Sequence, residues 1–250
     1  MTRGLGDGPP GPNPLAGIDL AIFDKDGTLI EFGMMWSDWV GRLADDLAVA
    51  HGSRLDDTVY GVMGVDRETG IVHPHGALAA TPMARIRDAL AEALAESGMT
   101  PAEAWRLVGI AWHSPDPVTL VRPIADLRGL FRALNAAGTR IAIATSDDRE
   151  PTERTLSHLG IADLVEGVSC GDDGRPVKPQ PDAVLWLCSE LGVPVSRTAI
   201  IGDAPADMRM GRAAGIGRVI GVLTGVGDER TLGALADLVL PSIAELVPPV

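Results

Sequence analysis

The chain has 250 residues, room for one α/β domain with an inserted second unit, and a net charge of −13 at neutral pH. So acidic a surface repels phosphate backbones, which sets nucleic-acid binding aside and makes any anionic substrate depend on local positive charge. No run approaches the ~18 apolar residues of a membrane-spanning helix, so no membrane partner is expected.

Residues 1–16 are rich in Gly and Pro, lack an apolar run and read as a flexible lead rather than a signal peptide. Residues 18–24 (IDLAIFD) form a short apolar run ending in an acid, the pattern of a buried parallel strand. Residues 31–121 then break the rhythm: helical stretches are expected near 35–51, 54–64, 82–97 and 101–113, with 70–82 the least regular part. From 122 onward strands alternate with helices. Strands are expected at 140–146, 164–169, 198–203 and 218–223, with a short sixth at 237–241, and helices at 124–137, 151–159, 181–191 and 206–214. This predicts a doubly wound, Rossmann-like parallel sheet formed by 17–30 and 122–250, interrupted by an all-helical insert at 31–121.

Two cysteines, Cys170 and Cys188, give no disulfide framework and no metal-type spacing; they read as small buried hydrophobes in a cytoplasmic protein. Of 21 basic residues other than His only Lys25 and Lys178 are lysines, so a lysine here stands out.

In an open α/β sheet, ligands bind beyond the C-terminal ends of the strands. The first strand ends in Asp24, followed by Lys25, Asp26, Gly27 and Thr28; the second ends in Thr145 and Ser146; the fourth ends in Gly202 and Asp203, with Asp207 four residues on. Lys178 lies in the loop after the third. Carboxylates, hydroxyls and a lysine in one crevice suit phosphoryl transfer. Carboxylate oxygens make a hard cage for Mg²⁺. An Asp can serve as nucleophile, and a second carboxyl can move the proton. Lysine and hydroxyls can hold phosphoryl oxygens. Lys25, between the two acids, is either structural or part of the site. Asp147 and Asp148 read as turn or helix-start residues ahead of Pro151. In the insert, His73 and His75 suggest a metal pair but lack a third ligand, so substrate contact or a plain loop role is the better reading, and Met34, Met35, Trp36 and Trp39 read as cap core or substrate lining.

DKDGTL (24–29), the strand ending at Thr145-Ser146, the lysine of VKPQPDA (177–183) and GDAPAD (202–207) together resemble the four ordered motifs of the haloacid dehalogenase-like hydrolases, in their phosphoglycolate phosphatase-like branch. The resemblance implies a phosphatase acting on a small phosphate ester, with Mg²⁺ as cofactor and a helical cap at 31–121. It implies Asp24 as nucleophile, Asp26 as general acid/base and as a metal ligand through its main-chain carbonyl, and Lys178 as partner of both Asp24 and the phosphate. Thr145 and Ser146 would bind the phosphoryl group; many relatives carry Asn at the second of these positions. Asp24, Asp203 and Asp207 would complete the metal set. A phosphosugar mutase using the same phosphoaspartate is the alternative enzyme, and a non-catalytic binding module on this fold the alternative outside enzymes. Dehalogenation is disfavoured because Asp26 is present, and a Schiff-base hydrolase because 31–121 contains no lysine.

Overall fold

The computed structural model describes residues 13–31, 33–73, 76–113 and 121–246. In chain order these form β1 (Leu20–Phe23), α1 (Gly33–His51), α2 (Asp56–Met63), α3 (Ala77–Ala80), α4 (Met83–Glu96), α5 (Pro101–Ala111), α6 (Leu127–Ala136), β2 (Arg140–Ala144), α7 (Arg149–His158), β3 (Gly167–Ser169), α8 (Asp182–Leu191), β4 (Thr198–Gly202), α9 (Pro205–Ala214), β5 (Arg218–Val222), α10 (Glu229–Gly233) and β6 (Leu238–Leu240). The strands make one parallel sheet in the order β3-β2-β1-β4-β5-β6. The sheet is the doubly wound one expected. The sequence reading missed the short helices α3 and α10, four and five residues long, which carry too few turns to show a helical period.

Both faces of β1 are buried, which is why it reads as a continuous apolar run. Leu20 and Ile22 pack with Val184, Leu187, Ile200 and Met208 on one face. Ala21 and Phe23 pack with Leu127, Phe131 and Ile143 on the other. Leu15 belongs to that second cluster, and the Pro14 carbonyl accepts a hydrogen bond from Arg218 at 2.7 Å, so the last residues of the expected lead are packed.

The helices α1, α2, α4 and α5 enclose a separate hydrophobic cluster. Trp36, Val40, Leu43 and Leu47 recur along α1 at helical spacing, as do Ile86, Leu90 and Leu94 along α4. Trp39 fills the centre, edge-on to Trp36 and Trp112, and its indole N–H donates to the His113 carbonyl at 2.7 Å. Trp39 is therefore core of the helical insert, while Trp36 belongs to that core and also lines the cavity at the sheet's carboxyl edge. The side chains of Met34 and Met35, and His75, lie outside what is described; His73 is exposed.

Candidate active site

Strand order and register decide what meets at the carboxyl edge. β1 is central, with Phe23 paired to Ile143 of β2 on one side and Ile201 of β4 on the other. The residues that immediately follow the ends of these three strands are Asp24, Thr145 and Asp203. The chain runs outward from β1 through β2 and β3 and then crosses to β4 on the other side of β1, so the strand order reverses between β1 and β4, where a crevice opens.

The turn after β1 bends back so that Leu29 N–H donates to the Lys25 carbonyl at 2.8 Å and Gly27 N–H to the Ile30 carbonyl at 2.8 Å. Gly27 sits at φ +80, and a Cβ there would lie 2.6 Å from Asp203 Oδ2. Only glycine fits so tight a turn against that carboxylate.

Lys178 Nζ lies 2.5 Å from Asp24 Oδ1 and 2.6 Å from Asp207 Oδ1. Burial works against its charge, but Asp207 and Asp24 outweigh burial and hold the ammonium above the ordinary lysine range. Asp203 accepts from the Thr28 hydroxyl at 3.1 Å and from the Val226 N–H at 2.8 Å. Asp207, at the start of α9, accepts from the Ala204 N–H at 3.1 Å, so it caps the helix while facing the crevice. Oxygen atoms of Asp24, Asp203 and Asp207 lie within 4.8 Å of one another. Burial pushes Asp207 up to about 6 against the pull of Lys178. Burial, reinforced by Asp24 and Asp207, holds Asp203 well above the usual carboxylate range.

Asp26 points elsewhere. Its Oδ2 lies 2.5 Å from Lys25 Nζ, which also reaches Asp147 Oδ2 at 2.8 Å. Its Oδ1 is buried without a hydrogen-bond partner. Burial pushes this carboxyl up to about 7, with Lys25 pulling the other way. Thr145 is buried, and its hydroxyl accepts from the Asp147 N–H at 3.1 Å; Ser146 is half-buried beside it.

The expected residues Asp24, Asp26, Thr145, Ser146, Lys178, Asp203 and Asp207 thus line one cavity. The Asp26 side chain is not in the three-carboxylate group. Sequence reasoning missed the part played by Asp147 and the loop after β5, and placed Thr28 at the strand end without its contact to Asp203. Asp148 does precede α7 as its N-cap residue, but Asp147 lines the cavity. The loop after β5 brings Val226 N–H to Asp203 and the Thr224 hydroxyl to the Gly27 carbonyl at 2.6 Å. Its glycines, Gly225 and Gly227, at the end of a strand were the available signal.

The family model of haloacid dehalogenase-like hydrolases matches residues 18–215. A phosphoglycolate phosphatase of Rhodospirillum rubrum is 31% identical over 219 residues, covering 86% of this chain and 84% of that one. An N-acetylmuramic acid 6-phosphate phosphatase of Pseudomonas aeruginosa is 26% identical over 213 residues, 79% of each chain. Among solved structures, CbbY of Rhodobacter sphaeroides in complex with phosphate superposes with a TM-score of 0.62 at 22% identity, over 92% of this chain and 96% of that one, a likeness of fold alone. The chain belongs to the haloacid dehalogenase-like hydrolases, in their phosphoglycolate phosphatase-like branch. In class it is a hydrolase of phosphoric monoesters.

Proposed function

We propose that this chain is a Mg²⁺-dependent phosphatase that releases phosphate from a small phosphorylated metabolite, phosphoglycolate-like or a sugar phosphate, through a phosphorylated Asp24. The observation that carries this reading is the meeting of Asp24, Asp203 and Asp207 within 4.8 Å, with Lys178 against two of them.

The donor set fits a hard divalent cation. Three buried carboxylates at this spacing repel one another, and one ammonium offsets a single charge. All the donors are oxygens, as Mg²⁺ prefers, and Asp24, Asp203, Asp207 and the main chain of Asp26 would hold it. Bound there, the cation supplies charge neutralisation between the phosphate ester and the carboxylates.

The rest of the chemistry belongs to the chain. Lys178 holds the Asp24 carboxylate and the incoming phosphoryl group. Thr145 and Ser146 present hydroxyls to its oxygens. An oxygen of Asp24 attacks phosphorus as the bond from phosphorus to the ester oxygen breaks, and that oxygen takes its proton from Asp26. The free, buried Oδ1 of Asp26 and its raised pKa suit this donor role. Asp26, now ionised, takes a proton from water, whose oxygen attacks phosphorus and frees Asp24. The helices at 31–121 act as a cap that keeps bulk water out until the phosphoenzyme has formed.

A cytoplasmic location is part of the proposal; Cys170 and Cys188 are buried and unpaired, as a reducing compartment would leave them. The test is phosphate release from a panel of metabolite phosphates and p-nitrophenyl phosphate, with Mg²⁺ against EDTA. Turnover with Mg²⁺ that EDTA removes is expected; no turnover of any ester contradicts the reading. A hexose 1-phosphate in the panel that yields the 6-phosphate in place of free phosphate identifies a mutase.

A further inference from the structure

Resting on that phosphatase reading, we propose that the leaving group of the substrate is a neutral alcohol with a compact carbon frame, not a carboxylate-bearing group such as glycolate. The inference comes from the wall of the cavity facing the catalytic acids. Trp36, Leu78, Thr81 and Met83 from the helical insert, with Val226 from the loop after β5, close the space over the carboxyl ends of the strands. Four of these five side chains are apolar, and Thr81 brings one hydroxyl.

Among the described residues, the only cation lining this cavity is Lys178, already held between Asp24 and Asp207. Lys25 is not among the lining residues and is shared between Asp26 and Asp147. No described basic residue of the insert lines the cavity. Arg54 and Arg67 both pair with the buried Asp56. Arg85, two residues after Met83, has a side chain 77% exposed and reaches toward Asp88. His113 stands beside Asp46.

A substrate carboxylate enclosed here would lose its water and, among the described residues, gain no unshared cation in return, a costly exchange. The neighbouring acids make the cost greater, because Asp24, Asp26, Asp147, Asp203 and Asp207 outnumber the two ammoniums. A bound divalent cation does not reverse this, since the phosphate and the carboxylates share its charge. A neutral alcohol carries no such penalty. Its carbons bury against Trp36, Leu78 and Met83, and a hydroxyl on it finds a donor and acceptor in Thr81.

The experiment compares two esters of nearly the same shape with the wild-type enzyme and Mg²⁺. Phosphoglycolate and hydroxyethyl phosphate differ only in a terminal carboxylate against a terminal CH₂OH. The expected result is a kcat/KM at least about tenfold higher for hydroxyethyl phosphate. Thr81→Arg, and separately Met83→Lys, each place a cation on this wall and should shrink that ratio. A wild-type enzyme that hydrolyses phosphoglycolate as well as or better than its neutral counterpart overturns the inference while leaving the phosphatase reading intact. Hydrolysis of neither ester, nor of p-nitrophenyl phosphate, sinks the phosphatase reading itself and the inference with it.

Discussion

Lys25 reaches Asp147 across 2.8 Å, tying the loop after β1 to the loop after β2 while it holds Asp26 at 2.5 Å. Its side chain is 3% exposed. Burial opposes its charge, but Asp147 and Asp26 more than compensate and raise its pKa. Removing one member of a buried ionic group leaves uncompensated charge. Lys25→Met should therefore lower stability by about 2–4 kcal/mol, read from urea unfolding. With its anchor gone, the Asp26 carboxyl loses its fixed aim, and kcat/KM should fall by more than about tenfold. Asp147→Asn, whose partner keeps Asp26, should do less on both counts. A Lys25→Met variant as stable and active as wild type would show that the pairing is incidental.

Gly27 offers a sharper geometric test. Its φ of +80 penalises any side chain, and a Cβ would press on Asp203 Oδ2. Gly27→Ala should cost about 1–2 kcal/mol for the left-handed backbone alone. Because the displaced group is a proposed metal ligand, Mg²⁺ affinity by calorimetry should fall by at least about tenfold.

The raised carboxyls predict how pH and Mg²⁺ interact. Asp207 is shifted from 3.8 to about 6, and Asp203 is shifted in the same direction. A folded pKa above the unfolded one means that folding favours the protonated form. Their contribution to stability is complete below the unfolded value and is lost as pH rises through the folded one. Metal binding needs the same groups ionised, so the cation competes with protons. Thermal unfolding with Mg²⁺ and with EDTA should differ little near about pH 5, and the gap should widen through about pH 6 to 7 and above. A metal-induced shift that is constant across this range would contradict the linkage.

Much of this was legible in the sequence because strands buried on both faces spell themselves as apolar runs, and each run from 18–24 to 218–223 ended in a residue that the sheet brings to one edge. Apolar period likewise exposed the longer helices: α6 buries Leu127, Leu130, Phe131 and Leu134 along one face, inside the stretch 124–137 where a helix is expected. What stayed hidden depends on contacts between distant segments. Asp147 reads as a turn residue until Lys25 is seen to reach it. Val226 holds Asp203 through its backbone N–H, which no side-chain pattern announces. The short helix α3, whose Leu78 lines the cavity, lies in a stretch with too little periodicity to read.

The central claim is that Asp24 carries the phosphoryl group between the two halves of the reaction. The most direct measurement is an acid quench of enzyme turning over a radiolabelled phosphate ester with Mg²⁺, followed by peptide mapping. Label should appear on the peptide containing Asp24, and Asp24→Asn should abolish both the label and the release of phosphate. Label on another residue, or an Asp24→Asn enzyme that keeps its turnover, would contradict the account.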